Sequence, residues 1–427
     1  MIAALVISFV VLAVCSVPVA IAVGAAVVIS VTFFSPYPLL GVAQRMVTGI
    51  DSFVLLAIPL FMLTGRLMNQ GGITDRLFEF ARSLVGPIRG GLAHANVLAS
   101  MIFAGMSGSA VADAGGLGMV EIKAMTDQGY RKEFAAAVTV ASSTIGPIIP
   151  PSIPMVIYGA MAEVSVGRLF LGGFVPGVLM GLALMIFIYA MSFREAMPRD
   201  PAYRLGRIWR TFRAAFFPLL TPIILIGGIV SGIFTPTEAA AVAAMYAFVL
   251  SFVVYRTVRV RDIPGIIIET LTTTAVVTFI ISATSGFSWL LIVGKIGTLL
   301  TESVRSWTQS PWVVLLIVNI VLLILGCLME AGVLLILMTP LLVPIMAAMG
   351  VDLVHFGVVM VLNLMIGVAT PPVGMCLFVV SEACDIKLET LMWEVLPQVL
   401  PLILVLFLIT YIPSLVLWVP RLLMGGP

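Results

Sequence analysis

The length of its uncharged apolar runs restricts this chain more than any other feature. Segments such as Val313–Leu325 and Leu396–Leu408 contain no charged residue and do not alternate between apolar and polar positions. In lipid every backbone polar group must be satisfied internally, so only helices and closed barrels can span. A barrel strand is ~10 residues of alternating polarity, whereas a spanning helix needs ~20 mostly apolar residues. The sequence offers the second pattern repeatedly. Of 427 residues, 61% are hydrophobic and 10% charged, where a soluble domain carries about 25% charge. The expected class is an all-α polytopic membrane protein. The net charge of +2 points to no nucleic-acid partner. Four cysteines, Cys15, Cys327, Cys376 and Cys384, lack CxxC spacing and lie in apolar runs. They read as small buried hydrophobes, not as a disulfide frame or a metal site. No cleavable signal peptide is visible, because residues 2–15 lack a basic leader and continue into more apolar sequence.

Crossings are expected at 2–16, 19–35, 52–69, 133–159, 169–193, 214–233, 238–255, 270–290, 353–380 and 395–418. Two further apolar segments, 92–122 and 312–348, are too long for one helix and carry glycine and polar residues at their middles. Each is expected to turn back as a re-entrant hairpin. The longest polar stretch, Arg194–Arg213, holds six arginines, and a second basic cluster is Arg256, Arg259 and Arg261. Both fall on one side, which the positive-inside rule makes cytoplasmic. With both hairpins re-entrant, seventeen of the 22 Lys and Arg lie on that side. Both termini then lie outside, in a bacterial inner membrane. The arginine-rich stretch also suits lipid headgroups, with Trp209 and Phe212 bracing an amphipathic helix.

Sliding the sequence on itself by 221 residues aligns its least ordinary positions. Gly105 meets Gly326, Gly129 meets Gly350, Gly146 meets Gly367, Pro150-Pro151 meets Pro371-Pro372 and Pro176 meets Pro397. The expected organisation is two repeats, 1–213 and 214–427, each with five crossings and one hairpin. Five is odd, so the second copy is inverted in the bilayer, the architecture of secondary transporters. Within crossing 133–159, Gly146-Pro147-Ile148-Ile149-Pro150-Pro151 removes three backbone donors, and the helix must unwind there. Gly367-Val368-Ala369-Thr370-Pro371-Pro372 is the matching break. Bare carbonyls at membrane depth are tolerated only where protein, water or an ion satisfies them. The hairpin tips, near Met106–Ser109 and Leu328–Gly332, are expected to face these breaks. Hydroxyls and carbonyls with few charges suit a monovalent cation such as Na⁺ better than Ca²⁺ or Mg²⁺. Half-helix N-termini beside the breaks suit an anionic substrate group.

Four segments carry a family resemblance: Phe53–Phe61 (FVLLAIPLF), Gly105–Asp113 (GMSGSAVAD), Gly146–Ser152 (GPIIPPS) and Phe234–Ala240 (FTPTEAA). With them the whole chain resembles the large membrane subunit of tripartite ATP-independent periplasmic (TRAP) transporters. The resemblance implies an elevator-type ion transporter fold and Na⁺-driven import of an organic acid. It also implies two partners, a periplasmic substrate-binding protein and a small membrane subunit of about four helices, here expected as a separate polypeptide. No cofactor is implied besides Na⁺ as coupling ion. Carried over by position, Ser107, Ser109, Gly146 and Pro150 belong to a first sodium site, and Gly326, Gly332, Thr370 and Pro371 to a second. The substrate is expected between the tips, at Ser107, Ser109, Ser152, Glu330 and Thr370. The second tip carries Glu330 in place of the first tip's serines.

Carboxylates within membrane segments are functional hypotheses by default, which singles out Asp113 and Glu330. Glu238 is also a candidate, although Thr235-Pro236-Thr237-Glu238 reads locally as a capped helix start. No mid-membrane arginine stands out as a carboxylate clamp. Enzymatic readings are weak. Gly105-Met106-Ser107-Gly108 resembles the GxSG of intramembrane serine proteases, but that chemistry needs a facing histidine, and His355 starts its crossing at the outer side. A channel built on the carbonyl-rich breaks fits two inverted breaks less well than alternating access does. The nearest alternative is an elevator carrier of di- or tricarboxylates that needs no binding protein.

Overall fold

The structure is a computed structural model that describes residues 1–194, 197–200 and 203–425. The described residues form helices and no strands. Among the described residues, seven helices are long and apolar enough to cross a membrane: Phe53–Gln70, Val166–Met191, Leu205–Val230, Pro236–Val254, Val260–Val293, Ala331–Ala348 and Leu388–Tyr411. Shorter apolar helices, including Ile2–Val14 and Val19–Phe34, accompany them. Local signals set several boundaries. Helix Pro236–Val249 starts at Thr235, whose side chain accepts from the Glu238 amide while Glu238 reaches back to the Thr235 amide. This reciprocal box satisfies two donors that a helix start leaves free.

Two packed groups of helices are visible. In one, Ile2–Val14, Val19–Phe34, Leu39–Thr48, Ala57–Gln70, Leu205–Val230, Pro236–Val249 and Ile263–Val293 pack on one another. The other is built around Lys132–Ser143 and Leu353–Val368. Both of these helices are buried on nearly every face, the expected state of a helix with no polar stripe. Around them lie two helical hairpins. The first joins Gly91–Ser107 to Ala110–Gly115 and Leu117–Asp127, and the second joins Pro311–Gly326 to Ala331–Ala348. Lys132–Ser143 is followed after a break by Ile153–Ala162, and Leu353–Val368 by Met375–Cys384.

Polar side chains tie each hairpin's first arm to the adjoining broken helix. Asn96 Nδ2 donates to Thr139 Oγ1 at 2.7 Å, and Ser142 Oγ donates to Asn96 Oδ1 at 2.7 Å. In the other half Asn363 Nδ2 donates to Asn319 Oδ1 at 2.9 Å, and Asn319 Nδ2 to Thr410 Oγ1 at 3.0 Å. Ser142 and Asn363 are 221 residues apart, as are Gly129 and Gly350, which share a left-handed backbone (φ +88° and +72°). Ser109 and Glu330, also 221 apart, are both the residue preceding a hairpin's second arm.

Three features depart from the sequence expectation. Helices Ile73–Val85 and Ile296–Trp307 are distinct elements preceding the hairpins, and neither was expected. Ile73, Leu77, Phe78 and Ala81 line one buried face of the first. A stripe at that spacing on a short charged segment marks an amphipathic helix, not a crossing. The 213/214 boundary falls inside the continuous helix Leu205–Val230, so the end of the arginine-rich stretch forms that helix's first turns. Trp209 there stacks on Phe212. Finally, Ala331–Ala348 is itself long and apolar enough to span, although it was expected as half of a hairpin.

Arg82 fixes the base of the first hairpin. Its Nε donates to Asp200 Oδ2 at 2.7 Å and its Nη2 to Asp200 Oδ1 at 2.9 Å, while the Asp200 amide donates to the Gly86 carbonyl at 3.0 Å. This hydrogen bond from Arg82 holds the Asp200 carboxyl below the usual carboxylate range.

Candidate functional site

The first hairpin turns at Ser107-Gly108-Ser109. Gly108 takes a left-handed backbone (φ +62°), and a Cβ there would lie 2.7 Å from the Pro151 carbonyl oxygen. Only glycine both makes the turn and allows this approach. The Ile153 amide donates to the Gly108 carbonyl at 3.4 Å, so the tip is docked on the first helix break. Ser109 caps the second arm by accepting from the Ala112 amide at 3.4 Å.

Behind the tip lies a buried carboxylate. Ser107 Oγ donates to Asp113 Oδ1. Asp113 is 2% exposed, and its Oδ2 has no hydrogen-bond partner. That free oxygen faces the break, because a Cβ added at Gly146 would lie 2.4 Å from it. The Pro150 carbonyl in the same break lies 3.7 Å from where a Cβ of Gly105, on the hairpin's first arm, would stand. An unpaired buried carboxylate oxygen is costly unless protonated or paired with a cation. Hydroxyl, carboxylate and unwound backbone together offer hard oxygen donors to such an ion. Glu121 on the same arm is fully buried, and neither of its oxygens has a partner. Nothing in the sequence pattern singled it out.

The second tip is related but less polar. Gly326 and Gly367 cross in backbone contact: a Cβ on Gly367 would lie 2.6 Å from the Gly326 carbonyl carbon. The Val373 amide donates to the Cys327 carbonyl at 3.1 Å, docking this tip on the second break, which contains Thr370 and Pro371. Thr370 Oγ1 donates to the Ile366 carbonyl at 2.6 Å.

Between the two tips lies a cavity of about 670 Å³, within the range of small-molecule sites. Its polar lining is Arg66, Asn69, Ser107, Ser109, Thr273 and Glu330, and Gly332 also reaches it. Of the residues expected to bind substrate, Ser107, Ser109 and Glu330 therefore line the cavity. Ser152 and Thr370 do not. Ser152 is fully buried behind the tip and caps Ile153–Ala162, accepting from the Met155 amide at 3.2 Å. Thr370 spends its hydroxyl on its own helix, because a residue after a helix turn finds the nearest free carbonyl four residues back. Glu238 is exposed and engaged in its capping box, away from the cavity lining.

Arg66 belongs to none of the candidate sets drawn from the sequence. It and Asn69 lie in the closing turns of Ala57–Gln70, with Arg66 about 6 Å from that end by helix rise. Gly65 brings this helix against the first tip: a Cβ there would lie 3.3 Å from Ser107 Cα. Arg66 pairs with Glu269, and its Nη2 donates to Thr273 Oγ1 at 3.0 Å. The end near Arg66 leads through Gly71-Gly72 into Ile73–Val85, the helix joined by Arg82 to Asp200. The cavity thus lies toward the arginine-rich face. Ser285 and Trp289, farther along Ile263–Val293 (the helix that carries Thr273), line a smaller cavity of about 370 Å³ together with Arg45 and Ser52.

Residues 6–415 match the family described as the tripartite ATP-independent periplasmic transporter, DctM component. The chain is 48% identical over 383 residues to the sialic acid TRAP transporter large permease protein SiaM of Vibrio cholerae, covering 90% of each chain. It is 40% identical over 399 residues to the C4-dicarboxylate TRAP transporter large permease protein DctM of Pseudomonas aeruginosa, covering 92% of each. Among solved structures it resembles the Alcanivorax borkumensis YdaH transporter with a TM-score of 0.61 at 14% identity, over 90% of this chain and 89% of that one. It also resembles Neisseria gonorrhoeae MtrF with a TM-score of 0.57 at 12% identity, over 88% and 84%. At such identities the structural likeness concerns the fold alone.

Proposed function

The chain belongs to the DctM component family of tripartite ATP-independent periplasmic transporters, and from that premise we propose that it imports an organic acid coupled to Na⁺. Its relatives are transporter permease subunits and not enzymes. In this reading a binding protein delivers the substrate, unlike in elevator carriers that need none. The observation that carries the coupling is the cluster of Ser107, Asp113 and Gly146, with a buried carboxylate oxygen left free beside an unwound helix. In this reading Na⁺ occupies that gap, with Ser107, Ser109 and the backbone of Gly146 and Pro150 around it. A second Na⁺ site uses Gly326, Gly332, Thr370 and Pro371. Each ion orders a hairpin tip. Because both tips wall the cavity, ion and substrate binding reinforce one another by linkage.

The substrate binds between the tips at Ser107, Ser109 and Glu330. The group built on Lys132–Ser143 and Leu353–Val368 moves as an elevator against the other group, and the two halves are inverted repeats with re-entrant hairpins. The protein resides in a bacterial inner membrane with both termini periplasmic. It works with a small membrane subunit and a periplasmic substrate-binding protein. Sialic acid and C4-dicarboxylates are the first substrates to test, because relatives at 48% and 40% identity are named for them. The deciding experiment is uptake of these acids into proteoliposomes holding the chain and its membrane partner. The Na⁺ gradient and the binding protein are each supplied or withheld. Uptake that requires both is expected. Uptake indifferent to Na⁺ refutes the coupling, and uptake indifferent to the binding protein refutes the tripartite mechanism.

A further inference from the structure

Among the described residues lining the main cavity, Arg66 is the only cation. Its guanidinium is partly committed, to the Glu269 carboxylate by one Nη and to Thr273 Oγ1 by the other. Guanidinium has five N–H donors in a planar fork, so three remain beyond these two contacts. Thr273 gives its own proton to the Glu269 carbonyl at 3.0 Å, so its hydroxyl oxygen is left to accept from Arg66. Arg66 and Thr273 line the cavity and Glu269 does not. The side chains of Arg66 and Glu269 are 33% and 56% exposed. An ion pair this open is weak and exchangeable.

We infer that Arg66 is a carboxylate-binding subsite on the cavity wall beside the first hairpin tip, and that Glu269 occupies it as a built-in competitor. The inference rests on the organic-acid reading above and deepens it by naming the residue that takes the substrate's charge. An incoming carboxylate displaces Glu269 and meets the guanidinium fork, which suits two parallel N–H···O bonds. Thr273 holds the guanidinium plane during the exchange through a hydrogen bond that does not depend on Glu269. Ser107 and Ser109 on the adjoining tip are left to the substrate's uncharged polar groups. The subsite belongs to the helix group that does not carry the hairpins, and it lies near the arginine-rich end of its helix. It therefore engages the substrate where the cavity opens toward that face, and Glu269 favours release there by reclaiming Arg66.

Opposite effects from the two partners of one ion pair test this directly. Binding of sialic acid and succinate, and of their methyl esters as uncharged counterparts, is measured on the purified full-length chain with its small membrane partner in Na⁺. Arg66→Gln is expected to weaken acid binding about tenfold or more, which corresponds to about 1.4 kcal/mol, and to abolish the preference for acid over ester. Arg66→Lys is expected to fall between, because a lysine keeps the charge but loses the fork. Glu269→Gln is expected to tighten acid binding several-fold while leaving the esters unchanged. If Arg66→Gln and Glu269→Gln shift binding in the same direction, the pair is only a brace and the inference is overturned. An unchanged acid-to-ester ratio in Arg66→Gln overturns it as well. If the unmutated chain binds neither acid, the organic-acid reading itself fails and the subsite falls with it.

Discussion

Replacing Gly146 with alanine puts a methyl group against the one free oxygen of Asp113. The added Cβ would lie 2.4 Å from Asp113 Oδ2 and 3.1 Å from its carboxyl carbon. Ordinary contact between such atoms needs roughly 1 Å more, since carbon atoms pack at about 3.5–4.0 Å. Either the carboxylate swings away or the break shifts. Neither neighbour yields freely, because Asp113 is held by Ser107 and the break is docked on the tip through Ile153 and Gly108. Overpacking of this kind costs about 1–3 kcal/mol. If the cost falls on the ion-bound state, Na⁺ affinity drops by a factor of roughly 5 to 150 at 1.4 kcal/mol per tenfold. The assay is the Na⁺ concentration that half-saturates uptake, together with the rise in Tm that Na⁺ produces, since an ion that binds only the folded state stabilises it by mass action. Gly227→Ala is the control, because nothing lies within 4 Å of its added Cβ. Gly146→Ala is expected to raise the half-saturating Na⁺ and shrink the Tm rise while leaving Tm without Na⁺ near the control. An unchanged Na⁺ dependence in folded protein would refute a cation site at Asp113.

Other expectations follow from the same contacts. Ser107→Ala removes the donor to Asp113 and should raise the Na⁺ requirement in the same uptake assay, while Glu238→Gln, which touches only its capping box, should leave it unchanged. Gly367→Ala meets the Gly326 backbone, which cannot rotate away as a side chain can, so it should lower folded yield and Tm far more than Gly332→Ala, whose nearest neighbour is the Glu330 carboxylate at 3.8 Å. Asp200→Asn breaks the paired hydrogen bonds from Arg82 and should lower Tm at neutral pH by ~2–4 °C for each 1 kcal/mol lost. Asp200 is held below the usual carboxylate range when folded, so its stabilisation is full above the unfolded value near 3.9 and fades as pH falls through the folded value. The difference between variant and parent should therefore be flat from pH 7 to about 5 and close only below about 4.

The first cluster was legible in the sequence because its residues must be where they are for local reasons. Gly108 makes a left-handed turn, Gly146 starts a proline-ruled break, and Ser107 and Ser109 flank the turn. Glycine and proline act on the backbone of their own segment, so their positions survive without knowledge of the rest of the chain. Ser152 and Thr370 show the limit of that logic. Both sit beside breaks, but hydroxyls compete for the nearest backbone group, and each found a partner in its own segment.

What the sequence determined by itself is the solvent and the punctuation. Apolar runs required a bilayer and helices, glycines with polar neighbours marked the turns in the two overlong apolar segments, and glycine–proline runs marked the two helix breaks. Pairing across the chain was decided only by tertiary structure. Arg66 and Glu269 are separated by 203 residues, and no motif in the sequence links them. Only the packing of Ala57–Gln70 against the long helix Ile263–Val293 brings them together, with Arg66 on the cavity wall. Glu121 looked like one acid in a charged helical turn until folding buried it completely. A charge near a helix end satisfies the same hydropathy pattern whether it meets lipid headgroups, water or a ligand, so its environment appears only when the helices are assembled.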